Sequence, residues 1–362
     1  FDGIGRMADA VYRGYNSSGG KGLAPPAGSL QSGGSQSFIP WDKLGYQGRK
    51  FISNGPTAAE ISKVTGKPAV EPIRVYVGRQ MSDSLNEQAT LAVRELERTK
   101  AFDRQAIQII ITTGTGWTSP KATRPFEYLY GGDVATVAIQ YSYLPSWISF
   151  LADRARAQAA ASELTAHVVR AAQTSAKRPQ IFLFGESLGS YGAEKVLAGQ
   201  ALTHNGITGS LLVGPPGINH LHDELTARRI QGSPSYAPRY PDGSVRFITG
   251  TDHIGSASPT PSLIYLQNPT DPVVKWDTSL LWSKPAWVDE EKRDGIVAPQ
   301  FTWRPLITFF QVTVDMILAL KVPPGAGHVY DGMTIEAWSA LTGHPVSDAT
   351  AHAIKSQLEL LQ

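Results

Sequence analysis

Ser187 is the residue whose neighbours best equip it to act as a nucleophile. It is the centre of a Gly-x-Ser-x-Gly motif at residues 185–189, which follows a short apolar run at 180–184 and precedes a helical pattern at 191–197. A serine on so sharp a strand-to-helix turn presents its hydroxyl at the carboxyl edge of a sheet, and glycine on either side avoids the clashes that a Cβ would make. An ordinary glycine–serine turn is the alternative, but the strand before and the helix after favour a nucleophile for acyl transfer.

Such a serine needs a base and an acid, and His328 and Asp271 are the candidates. Asp271 lies in a turn just past a predicted strand at 263–267, where a carboxylate can orient an imidazole. Asp277 is the first alternative, and Asp252, which precedes that strand, is a more distant one. His328 lies in a tight glycine-rich loop between an apolar helical pattern and a C-terminal helix. The predicted triad therefore runs serine, aspartate, histidine along the chain.

Two backbone N–H groups are expected to hold the oxyanion. The N–H of Leu188 lies at a helix N-terminus, where the positive end of the dipole stabilises negative charge. The second donor is expected from the glycine loop at 113–117, which follows the most hydrophobic strand pattern. Thr115 is the predicted donor, and Gly116 or Trp117 would serve if the register of the loop differs.

Aromatic residues are the predicted substrate contacts: Trp117, Tyr143, Trp147 and Trp282. Tyr143 and Trp147 follow a predicted strand and should border a crevice at the carboxyl edge of the sheet. Trp282 belongs to a tryptophan-rich interval that could form an apolar lid or acyl-chain wall. Packing beneath the lid is the alternative for each of them, because large aromatic side chains are usually found in cores.

The other histidines have no comparable context. Those within a suspected cap (His220, His222 and His253) are expected to be exposed, and His167 and His352 to lie on helix faces. His220 and His222 beside Asp223 come nearest to metal-ligand spacing, but no metal site or other cofactor is predicted.

Composition excludes several classes of function. A net charge of +2 without any long basic run gives no footprint for nucleic acid. The absence of cysteine rules out disulfides, thiolate metal sites and a thiol nucleophile. A hydrophobic fraction of 41% is ordinary for a globular protein, and no apolar run is long enough for a membrane span. The chain starts at Phe1 rather than Met, which suggests a longer protein cut upstream.

From residue 71 onward, strand and helix patterns alternate, which predicts an α/β fold with a doubly wound, mostly parallel sheet and cap insertions. Strands are expected at 73–77, 106–112, 134–141, 180–184, 210–213 and 263–267. Helices are expected at 57–65, 84–100 (with a capping box between Ser84 and Glu87), 152–176, 191–197 and 307–320. The division is into an extension at 1–70 packed on the core and a catalytic domain at 71–362, with cap insertions at about 214–261 and 272–305.

Several stretches of this chain resemble a known family. They are Phe38-Ile39-Pro40-Trp41, residues 71–78, Thr113-Gly114-Thr115-Gly116-Trp117, residues 140–147, the motif around Ser187 and Gly214-Pro215-Pro216. Together they resemble the catalytic part of an actinobacterial α/β-hydrolase family whose members carry an N-terminal multi-pass membrane domain. The resemblance covers most of residues 38–335, and the α/β-hydrolase superfamily has the same order of serine, acid and histidine. It implies membrane association through a missing N-terminal domain and an extracytoplasmic site at the cell envelope.

The function expected is that of a serine hydrolase acting on acyl esters, with an envelope lipid as the substrate and no nucleic-acid partner. An acyltransferase is the alternative, because the same acyl-enzyme can react with an alcohol instead of water. A non-catalytic regulator of envelope lipid that kept the fold is another. A peptidase of the same fold is less favoured, because the cap shows no acidic cluster for a peptide amino terminus.

Overall fold

One sheet of parallel strands carries the parts of the candidate site. The structure, a computed structural model, describes residues 22–144, 154–198, 206–249 and 260–361, together with Gly14, Asn16, Ser17 and Ser149. In these residues the strands are β1 (Ile73–Val77), β2 (Ala106–Ile111), β3 (Val134–Ile139), β4 (Gln180–Glu186), β5 (Gly209–Val213), β6 (Val245–Ile248) and β7 (Leu263–Leu266). They lie in the order β1-β3-β2-β4-β5-β7-β6, and every neighbouring pair is parallel. The predicted α/β class with a doubly wound, parallel sheet is confirmed.

Helices connect the strands and cover the sheet. They are α1 (Gly45–Ser53), α2 (Ala58–Thr65), α3 (Leu85–Arg98), α4 (Pro120–Leu129), α5 (Arg154–Thr174), α6 (Leu188–Leu197), α7 (His220–Ala227), α8 (Pro272–Lys275), α9 (Trp287–Arg293), α10 (Ile307–Leu318), α11 (Thr334–Thr342) and α12 (Asp348–Glu359). Every residue of β1, β2, β3 and β5 is buried, so both faces of the sheet are covered. This burial explains why these strands are mostly apolar and lack the alternation of a half-exposed strand, as is usual in parallel sheets.

Trp338 in α11 fixes one face of the core beside the central strand β4. Its ring lies 5.0 Å from that of Phe126 in α4, and 6.2 and 6.0 Å from those of Phe182 and Phe184. The indole Nε1–H donates a 2.8 Å hydrogen bond to the Ala122 carbonyl, so the one polar atom of this fully buried side chain is paired. The cluster holds the end of β4, and hence the serine after it, against the helices.

The segment before β1 contributes to the same core. Ile39, Leu44 and Phe51 are buried in the hydrophobic cluster that includes the sheet. The Phe51 ring lies 5.8 Å from that of Tyr76 in β1. Because Gly48 has no Cβ, α1 approaches this tyrosine closely: a Cβ at residue 48 would lie 2.5 Å from its ring.

The interval 214–261, expected to be a cap, also contributes the edge strand β6. This strand has four residues, and only its two end residues are buried. A short edge strand between Pro/Gly-rich flanks shows neither a continuous apolar run nor a clear alternation, which is why its pattern was not recognised.

The capping box predicted at the start of α3 is only half formed. The Ser84 hydroxyl accepts the Glu87 N–H, as expected. The Glu87 carboxylate, however, accepts from the Ser82 hydroxyl, and that hydroxyl accepts the Ser84 N–H. The Ser82 hydroxyl therefore bridges the Ser84 N–H and the Glu87 carboxylate, which would bond directly in a complete capping box.

Among the described residues, no helix combines the length and the apolar character that a membrane crossing requires. The helix with the most apolar sequence, α10, has 12 residues.

Candidate active site

Ser187 lies between β4 and α6 in a backbone conformation that few residues other than glycine adopt. Its φ is +53° and its ψ is −124°. The Ser187 N–H donates to the Val213 carbonyl of β5 at 2.9 Å, and α6 begins at the next residue. A strained serine on a strand-to-helix turn, tied to the neighbouring strand, has the geometry of a nucleophile elbow.

The glycines of the motif are required by close contacts of the backbone. A Cβ on Gly185 would lie 2.5 Å from the Gly189 carbonyl oxygen, and a Cβ on Gly189 would lie 2.2 Å from the Ile111 carbonyl oxygen at the end of β2. Neither contact can be relieved by turning a side chain, because both partners are backbone atoms. The expectation that these glycines prevent clashes with strand and helix is met.

Asp271 and His328 form a buried hydrogen-bonded pair. Asp271 follows β7 and caps α8, where its Oδ1 accepts the Val273 N–H at 2.8 Å. Its other oxygen, Oδ2, lies 2.6 Å from Nδ1 of His328. Since an ionised carboxylate only accepts, Nδ1 carries the proton and Nε2 is left with the lone pair that a general base needs.

Burial and charge act in opposite directions on this imidazole. Burial alone would lower the pKa of His328, but the charge and hydrogen bond of Asp271, with a smaller effect of Glu186, raise it above the usual value. The cation that forms when the ring takes a proton is therefore stabilised inside the protein.

The imidazole lies beside the elbow, over Gly214 at the end of β5. A Cβ on Gly214 would lie 2.5 Å from Cε1 and 2.9 Å from Nδ1 of His328. Gly214 directly follows Val213, the residue that accepts the Ser187 N–H. Among the described residues the Ser187 hydroxyl has no hydrogen bond to the imidazole, and catalytic bonds of this kind commonly tighten only when substrate binds.

Tyr330 is a further member of the site that the sequence prediction missed. Its hydroxyl donates to Asp271 Oδ2 at 2.6 Å and accepts the Asn268 N–H at 3.1 Å. Burial and the neighbouring carboxylate raise the pKa of Tyr330 well above its ordinary value, so the hydroxyl keeps its proton. The signal in the sequence was its position two residues after His328, on the same loop.

The predicted oxyanion donors come from neighbouring strands. Ile111 of β2 pairs with Gly185 of β4, so the loop after β2 starts next to the elbow. In this loop the Thr115 carbonyl accepts from Gln140 Nε2 at 2.8 Å, while the Thr115 N–H has no partner among the described residues. Leu188 supplies the first N–H of α6, which no carbonyl of its own helix can accept.

Glu186, the variable residue before the serine, lines a cleft of about 340 Å³ together with His328 and Trp117. Lys121 and Asp331, joined by a 2.8 Å ion pair, lie in the same cleft. The side chain of Glu186 is buried, and its Oε2 has no hydrogen-bond partner among the described residues. Burial, opposed by the positive potential of His328, raises the pKa of Glu186 to about 7. In the sequence this carboxyl occupies the unspecified position of the Gly-x-Ser-x-Gly motif, which gives no signal of a role in the site.

The predicted substrate contacts differ in whether they line the cleft that contains His328. Trp117 is 37% exposed and lines the cleft, as a substrate contact would. Tyr143 is buried with the Arg79 guanidinium over its ring at 5.2 Å, and Trp282 is 67% exposed; neither lines that cleft. Trp147 lies outside the described residues.

His222 is buried, so the expectation that the histidines at 214–261 are exposed is wrong for this residue. Its ring lies 5.2 Å from that of Tyr265, and Nε2 makes a 2.7 Å hydrogen bond with the Gln267 side chain. His253 lies outside the described residues. In the described part of the chain, no group of three histidine or acidic side chains is arranged to hold a metal ion.

Comparison with known proteins identifies the family. A model described as an alpha/beta-hydrolase family matches residues 73–355, and another, described as the N-terminus of an alpha/beta-hydrolase family, matches residues 1–56. No curated protein matches the chain. Among solved structures, an acetylxylan esterase is 14% identical over 47% of this chain and 84% of that chain, with a TM-score of 0.29, an overlap too slight for any inference about substrate. Because the first model spans most of the sequence and the parallel sheet and elbow agree with it, this protein belongs to the alpha/beta-hydrolase family.

Proposed function

We propose that the protein is a serine hydrolase that cleaves acyl esters through a covalent ester on Ser187. The observation that supports this most directly is the Asp271–His328 pair, with 2.6 Å between Oδ2 and Nδ1, beside a serine held at a φ of +53°. Membership of the alpha/beta-hydrolase family supports a hydrolase in general.

The reaction follows from the direction of the hydrogen bonds. His328 Nε2 takes the proton from Ser187 Oγ as this oxygen attacks the acyl carbon. The bond from the acyl carbon to the leaving oxygen then breaks, and the proton on Nε2 passes to the leaving alcohol. Water repeats the two steps and releases the acid. Asp271 stays ionised, holds the tautomer and stabilises the imidazolium.

Two backbone donors serve the oxyanion in this proposal. The Leu188 N–H comes from the first turn of α6, and the Thr115 N–H comes from the loop after β2. Each well-placed donor lowers the barrier by roughly 3 kcal/mol. Both are held by regular elements or side-chain bonds, so little reorganisation is required during the reaction.

We infer that the substrate is an acyl lipid of the cell envelope and that residues upstream of this chain attach it to a membrane. The support for this is the resemblance described above. An acyltransferase is the other candidate, because an alcohol bound in the cleft beside Trp117 and Glu186 could reach the acyl-enzyme before water does.

The test is covalent labelling with a fluorophosphonate probe followed by mass measurement of the intact protein. The parent should gain one adduct and hydrolyse p-nitrophenyl butyrate, whereas Ser187→Ala should do neither. Ser283→Ala, which changes an exposed serine, is the matched control and should behave as the parent. Equal labelling of the parent and Ser187→Ala would rule out Ser187 as the nucleophile.

The same assay distinguishes the two candidate activities. With an added alcohol such as glycerol, a hydrolase releases free butyrate, whereas an acyltransferase forms a new ester that chromatography separates. A protein that neither labels nor turns over would instead fit a non-catalytic regulator.

A further inference from the structure

An open groove of about 1060 Å³ runs along α10, a helix whose outward side is apolar. Its lining includes Leu306, Ile307, Phe310, Val314, Leu318 and Val322. Phe310 is 61% exposed and Val314 is 54% exposed. A concave surface lined mainly by apolar side chains is the usual form of a site that binds an apolar group.

The groove adjoins the two loops that carry the predicted acid and base. Thr270 and Gly327, which precede the predicted acid and base, both line it, and the Gly327 N–H donates to Thr270 Oγ1 at 2.9 Å. Ala319, at the end of α10, also lines it, and its carbonyl accepts the backbone N–H of His328 at 2.9 Å. A molecule bound in the groove therefore contacts Gly327, which precedes His328, and Ala319, whose carbonyl accepts the His328 N–H.

The groove carries little charge that would select a polar occupant. Its lysine, Lys275, pairs with the buried Glu291. The other charged lining residue is Asp315, on α10 itself. By contrast, the cleft that His328 itself lines contains Lys121 and its partner acid, Asp331. A long apolar group on one side and a polar leaving group on the other would match this division.

We propose that the groove along α10 binds the acyl chain of the ester substrate, with Phe310 and Val314 setting the preference for long chains. The proposal rests on the function proposed above. The 12 residues of α10 span about 18 Å, so the groove wall is far longer than an acetyl group needs. Each methylene removed from water should raise kcat/KM by about fourfold.

The experiment compares p-nitrophenyl acetate with p-nitrophenyl dodecanoate, at concentrations below micelle formation. Val314→Asn should lower kcat/KM for the dodecanoate by about tenfold or more, with the acetate unchanged, since two or more methylenes lose their apolar contact. Phe310→Gln should act in the same direction. Ile317→Asn is the matched control, because Ile317 is 73% exposed on the same helix but does not line the groove.

Three results would overturn the proposal. The parent could show no preference for the longer ester, the groove variants could reduce both esters equally, or Ile317→Asn could have the same effect as Val314→Asn. The last result would indicate that the whole outer face of the helix meets a bilayer or a second copy of the chain.

Binding of cis-parinaric acid, followed by its fluorescence, separates failure of the groove from failure of the proposed function. If the parent hydrolyses neither ester, the proposed function is wrong. In that case, binding of cis-parinaric acid that Val314→Asn weakens and Ile317→Asn does not would still support the groove as an acyl-chain site. Equal binding by all three proteins would overturn it.

Discussion

Replacing Gly214 by alanine tests whether the position of the imidazole controls activity. The added Cβ would lie 2.5 Å from Cε1 and 2.9 Å from Nδ1 of His328, and 2.9 Å from Cε2 of Tyr330. Ordinary contacts begin at 3.4 Å, so the ring must move by about 0.9 Å from its present position. That displacement would break the alignment between Nδ1 and Asp271 and shift Nε2 away from the elbow.

The magnitude follows from this displacement. A misplacement of about 1 Å at a reacting group costs on the order of 100-fold in rate. Alanine at a φ of +53° adds strain of about 1–2 kcal/mol, which lowers stability rather than changing the chemistry. We therefore expect kcat/KM for p-nitrophenyl butyrate to fall by about 100-fold.

Gly66→Ala is the matched control, because Gly66 has a φ of +68° and open space where the Cβ would lie. Both variants should lose similar backbone stability in thermal unfolding followed by circular dichroism, and only Gly214→Ala should lose activity when both are assayed well below their melting temperatures. A Gly214→Ala protein with parental kcat/KM would refute the assignment of His328 as the base.

Three further substitutions test the surroundings of the site and the core. Burial raises the pKa of Glu186 to about 7 in the folded protein, so the parent should lose stability as the pH rises from about 4.5 to about 7 and this acid ionises. Glu186→Gln should abolish that loss, which urea unfolding at several pH values across the range measures. Tyr330→Phe removes the hydroxyl that donates to Asp271 Oδ2, so the carboxylate should stabilise the protonated imidazole more strongly and raise its pKa. The acid limb of the pH profile of kcat/KM should therefore move upward by about one pH unit, and an unmoved limb would contradict this. Glu127→Gln should cost about 3–5 kcal/mol in urea unfolding, because it leaves the fully buried Arg74 guanidinium without its partner charge, and a loss under 1 kcal/mol would contradict it.

The elements that sequence predicted well are those whose pattern reflects local physics. The bounds of β1 were predicted without error, because Pro72 precedes and Gly78 follows a short run rich in β-branched and aromatic residues. The elbow was recognisable because a strand, two glycines and a helix occur in consecutive residues. The start of α6 was placed three residues late, since Gly189 and Gly192 lower the helix propensity of its first turns.

What sequence missed depends on contacts between distant residues. Gly214 was noted only as part of a stretch that resembles the family, yet its lack of a Cβ leaves room for His328, far along the chain. His222 was expected to be exposed because it lies in a polar interval, whereas its ring packs on Tyr265 of β7. No local pattern contains either contact. The roles of Ser187, Asp271 and His328 themselves remain predictions that labelling and mutation can test.

The manner in which His328 is held has a consequence for heat inactivation. The serine and the aspartate follow strands of the central sheet. The backbone N–H of the histidine instead donates to the carbonyl of Ala319, at the end of a helix with one side in solvent. Segments packed on one side open at lower free energy than a sheet core. Warming should therefore displace the imidazole while the sheet is still folded. Activity would then be lost below the unfolding temperature and would recover on cooling.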